Sequence, residues 1–443
     1  MTKYNWKENI TEESLKNNTT LYKVEDKSIP IIYLKLVFEN GALTETEDNL
    51  GITSLLSQML LNGNNNFPQK ELNLELDKMG ASLSIASGYD YFALIARIPS
   101  ESFIEFIAFI ERVLFGNIDF NEEKFNISKN KAKNLLTMIK DNESYLSSMI
   151  FSNILFKNKN YGLLSSGNSK SLEKLKIQDL NKRLEYIKKS NHYWLIAGDY
   201  SHKDINSLKE FSNLFHVEND NANKKIDIYN PEGFELYYYQ KSDKSKVNII
   251  LGAPSIPLSD KNINSMLIFN KYFGSDFTSI LPQEIREKNG WSYYAHSEFS
   301  LYKNATLFSM EYAPDIENLL VSMKYFKNLL LNTVTNNIEE DHLNFTKKKI
   351  LNSYNFKFST TVKKLSLLSD LKLYNYPKNF FNDYKSEVLT TNKKLLSEKL
   401  QKIINPNNQV IVMVGDIESK LEELKSSKLF KKITKIERLD YLD

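Results

Sequence analysis

The sequence predicts an α+β fold of two homologous domains, each a mainly antiparallel sheet with helices packed on it. Three observations lead there. First, a weak internal repeat pairs Asn191-His192-Tyr193-Trp194-Leu195-Ile196-Ala197-Gly198-Asp199 with Asn408-Gln409-Val410-Ile411-Val412-Met413-Val414-Gly415-Asp416. In both, a polar start runs into an apolar strand that stops at Gly-Asp, and the copies lie half the chain apart. Second, the same order of strands and helices precedes each copy, as a duplicated domain would give. Third, the strict strand-helix alternation of a parallel α/β sheet is missing, and 443 residues suffice for two domains.

In the first half, Ile31 to Phe38 is a β-branched and aromatic strand, and Gly51 to Leu61 is an apolar-faced helix ending at Asn62-Gly63. Ala81 to Ile98 alternates as a strand pair about Gly88-Tyr89-Asp90, and helices fill the chain to Lys189. In the second half, Val247 to Gly252 is the matching strand, Ile263 to Phe273 the helix, and Ser292 to Tyr312 the strand pair, broken near Lys303-Asn304. Helices follow from Asp315, an expected N-cap, to Leu400. Residues 216–234 hold Glu218 to Lys225 and Asn230-Pro231-Glu232-Gly233, polar and turn-rich, which reads as a linker between domains 1–215 and 235–443.

Composition narrows the chemistry. With 41% hydrophobic and 26% charged residues the chain is of globular type, and Lys+Arg of 58 against Asp+Glu of 55, interspersed, gives no case for nucleic acid as a partner. Cysteine is absent, which removes disulfides, thiolate metal ligands and cysteine nucleophiles. The five histidines, His192, His202, His216, His296 and His342, never stand three or four apart, so no helix can present a histidine pair to a metal. The most apolar stretch, Phe103 to Leu114, carries Glu105, Glu111 and Arg112 and reads as a buried amphipathic helix, not a membrane span.

Val37-Phe38-Glu39-Asn40-Gly41-Ala42, Gly51 to Leu60, and Met79-Gly80-Ala81-Ser82-Leu83 before Gly88-Tyr89-Asp90 resemble the amino-terminal domain of pitrilysin-type zinc peptidases. Tyr161-Gly162, Gly167-Asn168 and the Gly198-Asp199 strand end are similar to the same family. Phe273-Gly274-Ser275-Asp276-Phe277-Thr278-Ser279-Ile280-Leu281 and Glu284 to Tyr293 resemble the carboxy-terminal domain of its short, two-domain members. The likeness runs from about Tyr22 to Ile417.

In active members of that family, the helix that here spans Gly51 to Leu61 carries His-x-x-Glu-His. Two histidines four apart reach one zinc ion from one helical face, and the glutamate activates the bound water. The resemblance places Ser54, Ser57 and Gln58 at these positions, and Leu135 where the third ligand, a glutamate on a later helix, would stand. Hydroxyls, a carboxamide and an aliphatic chain make neither a zinc site nor a general base. It also implies that an arginine and a tyrosine of the second domain bind the peptide being cut, and these match Arg286 and Tyr293. A guanidinium offers paired donors to a peptide carbonyl or oxyanion and a phenol offers another. Arginine is scarce, with Arg97, Arg112, Arg183, Arg286 and Arg438 against many lysines, so geometry is expected to matter where it occurs. The plainer alternative is that Arg286 pairs with Glu284 or Glu287 on a solvated helix.

Three further features favour structural roles. His296, beside the Tyr293 strand, reads as structural; Tyr237-Tyr238-Tyr239 reads as a half-buried strand; and Lys425 to Lys435 reads as a solvated face. The family's glycine-rich turn has become Gly274-Ser275-Asp276, which is expected to be stiffer.

The resemblance therefore implies a non-catalytic subunit of a heterodimeric peptidase. A zinc-bearing paralogue would supply metal and base, and this chain, with no cofactor of its own, would contribute Arg286, Tyr293 and half of a chamber for short or unfolded peptides. The alternative is a scaffold or peptide-binding protein resembling respiratory-complex core subunits. No Ser-His-Asp order, phosphate loop or dinucleotide fingerprint points to an unrelated enzyme. The first twenty residues hold no apolar signal core; inactive relatives implied by the resemblance are exported, so a periplasmic site after loss of a leader is expected, and otherwise the cytoplasm.

Overall fold

The computed structural model describes residues 9–16, 19–218, 225–335, 338–377 and 379–443. Within the polar stretch Glu218 to Lys225, residues 219–224 lie outside the described residues.

The first half holds strands β1 (Ile10–Ser14), β2 (Thr20–Glu25), β3 (Ile31–Phe38), β4 (Ser82–Ser87), β5 (Phe92–Pro99) and β6 (His192–Gly198), joined as one six-stranded sheet in the order β1-β2-β6-β3-β5-β4. Its helices are α1 (Ile52–Leu61), α2 (Gln69–Lys78), α3 (Phe103–Leu114), α4 (Glu122–Asp141), α5 (Glu143–Leu155), α6 (Ser169–Lys174), α7 (Ile177–Lys188) and α8 (His202–Ser212). The second half holds β7 (Phe234–Gln240), β8 (Asn248–Pro254), β9 (Ala295–Tyr302), β10 (Ala305–Tyr312), β11 (Gln409–Gly415) and β12 (Lys432–Lys435), in the order β12-β7-β11-β8-β10-β9. Its helices are α9 (Ile263–Phe273), α10 (Ile280–Pro282), α11 (Leu319–Thr335), α12 (Glu340–Tyr354), α13 (Thr361–Leu373), α14 (Phe380–Thr390), α15 (Lys393–Ile403) and α16 (Leu421–Ser426).

The two strand orders match position for position except at one edge. In each sheet the strand of the repeat, β6 or β11, runs parallel to one neighbour and antiparallel to the other. The odd strands differ in origin: β1 lies antiparallel to β2, whereas β12 lies parallel to β7. Thus the lysine-rich tail expected as a solvated face supplies an edge strand. Four residues flanked by lysines with only half-buried centres leave little alternation to read. Asp315 stands at the start of its helical turn as expected, but its side chain caps nothing and instead receives Lys246 Nζ at 2.8 Å.

The Gly-Asp end of each repeat has a steric cause. Gly198 and Gly415 both adopt positive φ, 116° and 155°. A Cβ on Gly198 would lie 1.9 Å from the carbonyl oxygen of Ile31, the residue that opens the adjacent β3.

Both repeat strands are buried along their whole length. Buried on two faces, a strand reads as a continuous apolar run, which explains Tyr193 to Ala197 and Val410 to Val414. Trp194 and Ile196 enter one core while Tyr193, Leu195 and Ala197 enter the other; likewise Val410, Val412 and Val414 face the first core and Ile411 and Met413 the second. Each sheet has its own helices on one face and borrows cover for the other. Helix α5 of the first half packs on β8 and β11, and α13 of the second half packs on β6.

The exchange is close and polar as well as apolar. Gly252 on β8 leaves room for Phe151 of α5, whose Cζ would stand 2.8 Å from an added Cβ. On the other side, Lys35 Nζ donates to Ser369 Oγ at 2.8 Å and Tyr193 OH to the Ser369 carbonyl at 3.0 Å. The β9–β10 turn docks on the β4–β5 turn: the Lys303 amide donates to Asp90 Oδ2 at 3.1 Å, Lys303 Nζ to Glu39 Oε2 at 2.5 Å, and the Tyr302 ring stacks on Tyr161 at 4.2 Å. Phe151→Ala should therefore cost about 3–5 kcal/mol of unfolding free energy in a single cooperative denaturant transition. A loss below about 1 kcal/mol, or two separated transitions, would show that α5 does not bind the halves together.

Candidate functional site

Helix α1 opens with Gly51 at φ 95°, without a side-chain cap of its own. Glu45 takes that role from the preceding loop, accepting the Gly51 amide at 2.7 Å and the Thr53 amide at 2.8 Å, where a carboxylate suits the positive helix start. Behind it, buried Arg183 of α7 donates through Nε to Thr53 Oγ1 at 2.9 Å, and through Nη2 to Asn40 Oδ1 and the Gly41 carbonyl at 2.9 Å and to Thr44 Oγ1 at 3.0 Å. Burial pushes the Glu45 carboxyl above its ordinary value, opposed by Thr53 and by the Arg183 charge. This brace fixes α1 against α7. Sequence reasoning did not assign it, although the scarcity of arginine pointed at Arg183.

Ile52, Leu55, Leu56, Met59 and Leu60 bury one side of α1 in the first core, and Ser54, Ser57 and Gln58, the residues expected at the zinc-motif positions, lie on the other side. Ser57 Oγ donates back to the Ser54 carbonyl at 2.7 Å and receives Ser87 Oγ of β4 at 3.3 Å. Gln58 is exposed one turn along. Helix α4 packs beside α1, with Asn62 Nδ2 donating to Ser128 Oγ at 3.2 Å; on α4, Leu135 is 42% exposed, with Met138 nearby on the same helix also exposed. The donor set does not fit zinc. The four residues expected there offer no imidazole and no carboxylate: one hydroxyl is turned into the helix backbone, and Leu135 is aliphatic. Among the described residues, no three His, Cys, Asp or Glu side chains gather to hold a metal elsewhere.

The second-half residues come together differently. After α9 the chain turns through Asp276, whose Oδ1 receives the Thr278 amide at 3.1 Å, Thr278 Oγ1 at 2.8 Å and Lys349 Nζ at 2.6 Å. Burial pushes the Asp276 carboxyl up, but Lys349 and Thr278 pull it further, to a net position below its ordinary value. The turn is thus tied to α12 through Lys349.

Residues Gln283–Lys288 continue α10 as a π-helical turn, a form frequent at functional sites. It buries Ile285 and leaves Arg286 at the surface. The Arg286 guanidinium carbon lies 5.3 Å from the Tyr293 ring centre and 5.4 Å from that of Phe277. Arg286 Nε also contacts Glu287 Oε1 at 3.3 Å, while Glu284 is taken up by Lys288 and Tyr325. So Arg286 and Tyr293 meet, and of the two acids expected as plain partners only Glu287 approaches.

His296 on β9 stands opposite Glu311 of β10, its Nε2 3.8 Å from Glu311 Oε2. Glu311 Oε1 accepts Ser144 Oγ of α5 at 2.5 Å, Tyr294 OH at 3.0 Å and Asn248 Nδ2 at 3.1 Å. His296 therefore adjoins the polar network that seats α5.

Residues 22–165 match the family model described as insulinase (peptidase family M16), and residues 181–350 match the one described as the peptidase M16 inactive domain. The chain belongs to peptidase family M16. A relative called an uncharacterized zinc protease in Rickettsia bellii (strain RML369-C) is 24% identical over 306 residues, covering 69% of this chain and 73% of that one. In Helicobacter pylori (strain ATCC 700392 / 26695), a protein named non-peptidase homolog YmxG is 18% identical over 405 residues, covering 88% of this chain and 90% of its own. The crystal structure of a peptidase M16 inactive domain from Pseudomonas fluorescens superposes with a TM-score of 0.82 at 19% identity, over 92% of this chain and 98% of that one, which shows the shared fold. The match to the inactive-domain model and the likeness to a relative named a non-peptidase homolog support a non-catalytic M16-family protein.

The brace on α1 gives a quantitative expectation. Arg183→Met removes four hydrogen bonds and leaves Glu45 buried without its countercharge, so stability should fall by roughly 3–5 kcal/mol in chemical denaturation. Adding Glu45→Gln should recover part of it, a coupling of more than about 1 kcal/mol in the double-mutant cycle. Strict additivity would mean that the two side chains act independently.

Proposed function

We propose that this chain is the non-catalytic subunit of a heterodimeric M16 peptidase: it holds no zinc, pairs with a zinc-bearing paralogue, and binds the peptide that the partner cuts. One observation carries the reading. The metal positions have been given up, yet Arg286 and Tyr293 remain together at the surface, with Tyr293 83% exposed. Keeping a large ring in water beside a half-buried guanidinium gives the fold little, because the ring's apolar area is not buried and the Arg286–Glu287 ion pair at the surface is worth about 1 kcal/mol or less. In contact with an extended peptide, the guanidinium would donate to a backbone carbonyl and the phenol would add a further donor. The relative named a non-peptidase homolog supports a role without hydrolysis in this chain.

A scaffold role is the second reading, and the same residues separate the two. The purified chain should bind no stoichiometric zinc by elemental analysis and should leave a quenched fluorogenic unstructured peptide intact. Mixed with an M16 chain of the same genome that bears His-x-x-Glu-His, it should form a stable pair and raise turnover. In that pair, Arg286→Ala should lower turnover by about tenfold to a hundredfold with assembly unchanged by light scattering. Loss of assembly without any change in turnover per assembled pair would favour the scaffold. Chelator-sensitive cleavage by the single chain would overturn both.

A further inference from the structure

Phe277 was singled out by neither the motif nor the family's substrate pair. It is 73% exposed, and together with Tyr293 it makes the two most exposed large apolar side chains among the described residues. Both flank one guanidinium, with the Arg286 carbon 5.4 Å and 5.3 Å from their ring centres. The position of Phe277 is built. Gln283 Nε2 donates to its backbone carbonyl at 2.9 Å, and the residues on either side of it, Asp276 and Thr278, are tied to each other and to Lys349. A ring held at a fixed place yet left in water is an apolar surface waiting for a partner, and here the partner must approach a cation at the same time.

We propose that Phe277 is a specificity-determining residue of this chain: it receives an aromatic or large aliphatic side chain of an extended peptide whose neighbouring backbone carbonyl is held by Arg286. This rests on the peptide-binding reading of Arg286 and Tyr293. The division of labour follows from the chemistry. Backbone carbonyls are the same in every peptide, so Arg286 and Tyr293 give affinity without choice. A ring discriminates by apolar contact, which separates a large apolar side chain from a small polar one by about tenfold. Glu287, 3.3 Å from Arg286 Nε, offsets part of the guanidinium charge, so an acidic side chain there gains little over a small polar one.

The test uses the full chain and four fluorescein-labelled unstructured dodecapeptides that differ only in a central Phe, Leu, Ser or Glu, read by fluorescence anisotropy. The unmodified chain should bind the Phe and Leu peptides about five- to twentyfold more tightly than the Ser and Glu peptides. Phe277→Ser, at an exposed position with an unchanged melting temperature expected, should bring the Phe, Leu and Ser peptides within about twofold of one another. Phe277→Leu should keep most of the preference. Arg286→Ala should weaken all four peptides by a similar factor and preserve their order. If Phe277→Ser keeps the full preference while Arg286→Ala still weakens every peptide, Phe277 does not select and the clamp stands. If the unmodified chain binds none of the four, both the selection and the clamp fall.

Discussion

Neither sheet of this protein can be covered by the helices that precede or follow it within its own half. Strands β6 and β11 send alternate side chains to two different cores, so an uncovered second face would leave Tyr193, Leu195 and Ala197, or Val410, Val412 and Val414, in water. The molecule solves this by exchange: α5 lies on the second sheet and α13 on the first. Each apolar face is satisfied only when both halves are folded. The polar groups drawn in with the exchanged helices, such as Ser147 donating to Asn248 Oδ1 at 2.5 Å and Lys35 to Ser369, are partnered across the boundary. The helical hairpins of the two halves are therefore parts of one core system, and the site residues on each half are held at a fixed relation to the other.

That arrangement leaves one face of α1 free of any duty to the fold. On α1 the two tasks lie on opposite faces. The face carrying Ile52, Leu55, Leu56 and Met59 supports the core, and the helix start is anchored by Glu45 and Arg183. The face carrying Ser54, Ser57 and Gln58 supports nothing beyond a back-bonded hydroxyl and a contact to Ser87. Side chains on such a face can change while packing and brace stay intact.

What could be read from the residues follows the same division. Local signals were legible: the Gly-Asp strand ends, forced by close approach to Ile31 and to Lys246, and the hairpins around Gly88-Tyr89-Asp90 and Lys303-Asn304. The doubly buried strands announced themselves as unbroken apolar runs. The exchange of α5 and α13 was not legible, because an amphipathic pattern tells which face is buried and not which half of the chain buries it. Edge strands β1 and β12 were hidden for a related reason: a strand pairing on one side, with exposed and half-buried residues interleaved, carries too little alternation. Arg183 was noticed as one of few arginines, yet its partners Asn40, Gly41, Thr44 and Thr53 are spread over a distant segment that only the fold brings near. Phe277 lies within the Phe273 to Leu281 stretch that carries the resemblance, and nothing in the spacing said that its ring would stand open beside Arg286.

The use of arginine at position 286 in a chain that elsewhere prefers lysine has a local physical cause. A π-helical turn turns Ile285 inward and leaves the next side chain at the surface between two rings. An ammonium there would interact with one ring at a time and remain strongly hydrated. A planar, weakly hydrated guanidinium can lie against both rings and still present N–H groups at its edge. The surroundings keep that edge from being neutralised: Glu284 is engaged by Lys288 and Tyr325, and Asp276 by Lys349, which leaves Glu287 as the acid in contact. The cluster is thus stiff, cationic at its centre and apolar at its sides, a combination that suits an extended polypeptide, whose carbonyls and side chains alternate along its length.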